Sequence, residues 1–158
     1  MKTSRPFASI RAQRGVYAIE FAVVFLIFFA VLYGIICYGI LFAFRFGLQN
    51  AAEDGARAAL RYQIDLPRRK AEADFVARFQ IKGWLPAASS QLVDVQICQV
   101  ETNICLNPPC HTAWEKRCQV TVTVTVNGMK QVLPPLANFA IPDVLVGKAS
   151  MLLDGGTL

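Results

Sequence analysis

A single histidine in 158 residues is the first constraint on what this chain does. Histidine is the one side chain that ordinarily titrates near neutrality, so most proton-transfer sites are built around it. Here it is His111, next to Cys110 in a cluster of cysteines. The chain also lacks a His-x3-His pair and a glycine-rich phosphate loop. Its acids Asp65, Glu72 and Asp74 sit among basic residues rather than as paired carboxylates. These gaps weigh against hydrolase, metalloenzyme and nucleotide-binding chemistry. A non-catalytic protein with no cofactor and no metal is expected.

Charge is missing from Phe21 to Phe44, and proline from residues 16 to 66. A helix rising about 1.5 Å per residue carries that uncharged run across roughly 36 Å, enough for a hydrocarbon core of about 30 Å with some tilt. A cleavable secretory signal has a shorter apolar region, about 7–15 residues, followed by a small-residue exit. This run is longer and has no polar exit, so it reads as a retained anchor. Lys2, Arg5, Arg11 and Arg14 precede it without an acid, whereas Arg45, Arg57 and Arg61 follow. That bias favours a cytoplasmic N-terminus and an exported C-terminal domain. The formal charge of +5 is no sign of nucleic-acid binding, because four of the 16 basic residues lie in the first 14. Without them, 12 basic residues face 11 acids.

Beyond the span, Arg45 to Tyr62 is rich in Ala, Leu, Gln, Glu and Arg, so the same helix is expected to continue out of the membrane. Gly47, Ala51, Gly55 and Ala59 recur every four residues as a stripe of small side chains that admits another backbone. Two occupants are open: a partner helix, or the chain's own domain. Leu66-Pro67 breaks the helix, and Arg68 to Ile81 reads as a second one. Its expected apolar side is Ala71, Phe75, Val76 and Phe79, with Ala73 at the margin. The basic run Arg68-Arg69-Lys70 reads as a solvated helix start.

The period then changes from 3.6 to 2. Val93, Val95 and Ile97 alternate with polar neighbours, and Val120, Val122, Val124 and Val126 alternate with Thr121, Thr123 and Thr125. Threonine on the outer side suits an antiparallel sheet with one wet face. Asn127-Gly128 predicts a turn, with Lys130 to Leu133 as a short returning strand and Leu145 to Leu153 as the last one. Residues 134–143 are expected to be irregular or a brief helical turn, and Asp154-Gly155-Gly156 a loose tail. The fold class is α+β: a long N-terminal helix, a second helix and an antiparallel sheet of three or four strands. The expected divisions are a basic leader at 1–15, the helix and its extension at 16–62, and the exported domain at 63–158.

Cys37 falls in the middle of the span and reads as an apolar packer. Cys98, Cys105, Cys110 and Cys118 form an even set in the exported part, which predicts two disulfides among three possible pairings. A nested pairing is favoured: Cys98–Cys118 across a hairpin neck, and Cys105–Cys110 around the Asn107-Pro108-Pro109 loop. The spacing around His111 does not match a zinc knuckle, and His111 reads as an exposed loop residue. Trp84 and Trp114 are further candidates for a contact surface.

Arg14-Gly15-Val16 and Glu20 complete the pattern. A carboxylate at the edge of an apolar run is costly to desolvate alone. A cut after Gly15 would free an amine on Val16, and in an assembled bundle Glu20 of one subunit can meet the Val16 ammonium of another; the alternative is a Glu20 solvated by head-group water at the cytoplasmic interface. Residues 14 to 61, from Arg-Gly-Val-Tyr-Ala-Ile-Glu-Phe through Leu48-Gln49-Asn50-Ala51-Ala52-Glu53-Asp54-Gly55-Ala56-Arg57-Ala58-Ala59, resemble the N-terminal region of TadE-like proteins. Those are minor pilins or pseudopilins of bacterial tight-adherence (Flp) pilus systems. The resemblance implies an inner-membrane precursor, a prepilin peptidase that cuts it, and other pilin subunits and pilus assembly machinery as partners. It carries Gly15, Val16 and Glu20 over as processing and assembly positions. A single-span, membrane-anchored extracytoplasmic binding module unrelated to pili is the alternative; such a protein would keep residues 1 to 15.

Overall fold

The computed structural model describes residues 14–61, 65–85, 89–106, 108–111, 113–132 and 142–153. The expected leader up to residue 13, the expected helix end at Tyr62, most of the 134–143 segment and the Asp154-Gly155-Gly156 tail lie outside them. Two compact units make up the chain, Met1–Tyr38 and Gly39–Leu158.

Helix α1 runs from Arg14 to Ala58, uninterrupted as the absence of proline requires. It closes by tightening: Leu60 N–H donates to the Arg57 carbonyl (3.0 Å) and Arg61 N–H to that of Ala58 (3.1 Å). Helix α2 spans Leu66–Ile81. Asp65 caps it, its carboxylate accepting from the Arg68 N–H at 2.8 Å, and Pro67 occupies the first turn, where no N–H is needed. Gly83, at φ +114°, turns the chain out of the helix.

Three antiparallel strands follow, β1 (Ser90–Gln99), β2 (Cys118–Asn127) and β3 (Val144–Leu152), in spatial order β1-β2-β3. Val122 sits opposite Val95 on one side and Ala149 on the other, which puts the β2 valines on one face and its threonines on the other. All four valines are fully buried, whereas the threonines are half-exposed. At roughly 1.5–3 kcal/mol per buried side chain, this row is the largest block of core energy in the sheet, as an upper estimate.

Between β2 and β3 the described part of the short strand expected at Lys130 to Leu133, as far as Val132, is instead a helical turn, α3 (Met129–Val132). Gly128 does make the turn, with φ +87°. Asp143 then draws the chain into helical form, because its carbonyl and carboxylate accept the N–H groups of Met129 (3.3 Å) and Lys130 (3.4 Å). Met129 is driven fully into the core. A strand there would leave that side chain outside.

Both helices cover the valine face. Leu48, Ala51, Ala52, Ala56 and Ala59 of α1, and Ala73, Ala77 and Ile81 of α2, join the sheet residues in one core. Within the second unit α2 runs antiparallel to α1: Arg69 reaches Ala59, Ala73 and Ala77 lie against Gly55, and Trp84 lies against Gly47. The buried face of α2 differs from the one its aromatics suggest. Arg69, Ala73, Ala77 and Ile81 face inward, while Phe75 and Phe79 are 63% and 67% exposed. Close helix approach at Gly55 admits only alanines, so the phenylalanines are left outside, stacked on each other at 6.2 Å.

Candidate functional site

In the first unit, Gly15, Val16 and Glu20 occupy the opening turns of α1. All three are exposed, and a Cβ added at Gly15 would meet nothing within 4 Å. Val16 and Glu20 stand four residues apart, hence on one side of the helix. The apolar residues after them point outward: Ile19, Phe21, Val24, Leu26, Phe28 and Ile35 are all more than half exposed. One 18-residue window here has mean hydropathy 2.7, so this helix is long and apolar enough to cross a membrane. Phe21, Phe25 and Phe29 form a ring ladder with centroids 5.7 and 4.5 Å apart. Cys37 is buried and unoxidised, as a packing residue would be.

In the second unit, the small-residue stripe is taken by the chain's own domain. Ala51 and Ala59 are buried. A Cβ at Gly55 would come within 3.0 Å of the Ala73 carbonyl and the Ala77 methyl, and one at Gly47 within 2.7 Å of the Trp84 ring. Trp84 also stacks on Phe44 at 5.7 Å and donates from Nε1 to the Gln80 carbonyl at 2.6 Å. Of the two occupants open from the sequence, the intramolecular one is realised.

The basic run at the start of α2 also departs from a solvated surface. Arg68 is exposed and bridges Asp65 at 3.8 Å, but Arg69 is only 1% exposed. Its Nη1 donates to the Ala59 carbonyl at 3.2 Å, where the end of α1 leaves carbonyls without helical partners. A cation there also faces the negative pole of the helix dipole. Further along α2, Arg78 pairs with Asp74 at 2.7 Å. The Asp74 hydrogen bond raises the pKa of that guanidinium above its ordinary value, against a lowering by partial burial.

One contact was missed from the sequence. The Gln49 side chain donates to the Lys148 carbonyl (3.0 Å) and accepts from the Lys148 N–H (3.2 Å). It thereby pairs with edge strand β3 as a neighbouring strand would. Opposite, Gly147 lets the α1 backbone come down onto the strand: a Cβ there would overlap the Leu48 carbonyl oxygen and lie 2.5 Å from its carbon. A lone glycine inside a strand is the signal that could have pointed to such a close approach.

The nested disulfide pairing is overturned. Cys98 is bonded to Cys105 and Cys110 to Cys118, with S–S distances of 2.01 and 1.96 Å. Register explains it: Cys98 lies opposite Gln119 and Cys118 opposite Gln99. The two cysteines are thus one step out of phase and leave opposite faces of the sheet. Each instead ties its own strand end to the intervening loop. His111 is exposed, its N–H donating to the Lys116 carbonyl at 3.0 Å. No three His, Cys, Asp or Glu side chains gather as metal ligands among the described residues.

Comparison with protein families places the N-terminal segment: residues 15–57 match the model of the TadE family, described as TadE-like protein. The match holds Gly15, Val16, Glu20, Gln49 and three of the four stripe residues, and ends just short of Ala59. Comparison with curated proteins and with solved structures finds no match.

Proposed function

We propose that this chain is a non-catalytic pseudopilin or assembly subunit of a tight-adherence pilus system, cut after Gly15 by a prepilin peptidase. The observation that carries the reading is a coincidence of boundaries. The TadE-like match begins at Gly15 and covers the helix whose outward apolar side chains need a lipid or protein environment. In this reading the N-terminus is cytoplasmic, the anchor lies in the bacterial inner membrane, and the domain with its two disulfides is periplasmic. An oxidising compartment suits those bonds.

Assembly then follows from the first unit. The amine freed on Val16 meets Glu20 of a neighbouring subunit, which removes an unpaired carboxylate from the apolar edge. Because the domain occupies the small-residue stripe, subunit contacts fall to residues 16–38, with other pilins or the pilus machinery as partners. The same anchor suits a filament subunit and one that stays in the membrane.

N-terminal mass analysis of membrane-extracted protein tests this. The expected mature chain begins at Val16, and Gly15→Ala abolishes the cut. Glu20→Ala is cut normally but recovered poorly in assembled complexes. An intact Met1 in cells holding the cognate peptidase would overturn the proposal in favour of the pilus-unrelated binding module.

A further inference from the structure

The uncharged run ends at Phe44, and the next residue is Arg45. Arg45 stands between Phe42 and Phe46, which are 59% and 72% exposed. With Gln49, one turn further, these residues line a cavity of about 270 Å³. Spacings of three, four and seven place all four on one side of α1. The cavity has a fixed wall, because the Gln49 amide is saturated by Glu53 (3.2 Å) and by both backbone groups of Lys148.

Arg45 differs from the other arginines. Arg57, Arg61, Arg68 and Arg78 pair with carboxylates, Arg69 donates to a carbonyl, and Arg117 is also engaged. Among the described side chains, Arg45 is the one arginine with no such partner. A planar guanidinium presents two parallel donors suited to a phosphate, and it is more weakly hydrated than an ammonium. Aromatic rings beside it exclude water and accept glycerol and methylene groups. The volume equals about nine waters at ~30 Å³ each, room for a phosphate with its glycerol.

We infer that this cavity is a lipid site, in which Arg45 holds the phosphate of an anionic phospholipid from the exported-side leaflet. Phe42 and Phe46 pack along the glycerol and first acyl carbons, and Gln49 closes the upper wall. A lipid is favoured over an acid from a second copy because the cation lies where the apolar run stops, with exposed Phe42 and Phe46 on either side of it. The inference rests on the membrane-anchored reading above.

The test uses the full chain reconstituted in vesicles, with phosphatidylglycerol or phosphatidylcholine as probe lipids. Flotation with the vesicles first establishes that the anchor is inserted; failure to float would refute the anchored reading itself, and the lipid site with it. Floating protein is then moved to nanodiscs and examined by native mass spectrometry for retained lipid. One phosphatidylglycerol per chain is expected, preferred by about 5-fold over phosphatidylcholine, as one cation at an anionic surface gives. Arg45→Gln should remove that preference, Arg45→Lys should keep part of it, and Phe46→Ala should weaken retention of both lipids. Lys82→Gln, the same charge change away from the cavity, should leave it intact. Glycerol phosphate in solution should not displace the lipid. Equal retention of both lipids, or an unchanged preference in Arg45→Gln, overturns the inference for an inserted chain. Loss of self-association in Arg45→Gln without loss of lipid would assign the cavity to a second copy and also overturn it.

Discussion

Replacing Gly147 with alanine tests how closely α1 must lie on β3. The new Cβ would sit 2.5 Å from the Leu48 carbonyl carbon and 2.8 Å from the Gln49 nitrogen, both backbone atoms within a helix. Ordinary carbon contacts begin near ~3.5 Å, so the helix has to retreat by about 1 Å. Retreat stretches the two Gln49–Lys148 bonds from 3.0 and 3.2 Å past hydrogen-bonding range. Two such bonds are worth about 1 kcal/mol each, and forced overpacking costs about 1–3 kcal/mol. Replacing a strand glycine returns about 0.5–1 kcal/mol, which leaves a net loss of roughly 2–4 kcal/mol. Thermal unfolding of the detergent-solubilised chain, followed by near-UV circular dichroism, should show the domain transition about 10 °C lower. Gly47→Ala is the control. Its Cβ would meet the far edge of the Trp84 ring rather than backbone, so the ring shifts against Phe44 while the helix keeps its place, and up to ~1 kcal/mol of helix propensity offsets part of that cost. Gln49→Ala added to Gly147→Ala should cost nothing further, since the clamp is already broken. The reasoning fails if Gly147→Ala melts with Gly47→Ala, or if the Gln49 change remains fully additive.

Further outcomes follow from the core and the loop. Arg69→Met removes the donor to the Ala59 carbonyl and should destabilise the domain by about 1.5–3 kcal/mol in chemical denaturation; unchanged stability would mean the α1 end is satisfied without it. Non-reducing peptide mapping should recover Cys98 with Cys105 and Cys110 with Cys118. Replacing either pair by alanines should cost about 2.5 kcal/mol from loop entropy. Asp65→Ala removes the cap of α2 and should lower stability by about 1 kcal/mol, read from the denaturation midpoint. No change there would show that Pro67 alone sets the helix start.

Periodicity carried most of the fold. Most of the proline-free stretch, as far as Ala58, became one helix, and the Val-Thr alternation of residues 120–126 became the central strand with its valines inward. Where size decided instead of hydrophobicity, the pattern misled. Phe75 and Phe79 dominate any apolar count on α2, yet Gly55 sets a helix separation that only Ala73 and Ala77 fit. Arg69 escaped for a related reason: nothing local marks an arginine that will be drawn inward to the end of another helix. The disulfide pairing hinged on register, and a one-residue offset between Cys98 and Cys118 is invisible until the strands are aligned. The TadE-like resemblance was legible because Gly15, Val16 and Glu20 sit between basic residues and a long apolar run. The cavity at Arg45 was not, since its arginine is distinguished only once the pairings of the others are known.

The alanines of α1 that fill the interior at 51, 52, 56 and 59 belong to the same helix that begins at Arg14. The apolar segment and one covering layer of the core therefore belong to one continuous helix. A protease that severed the domain C-terminal to Ala59 would leave the sheet without one of its two covering layers, and the released fragment would expose its valines to water. A cut upstream of Leu48 would keep both covering layers on the sheet.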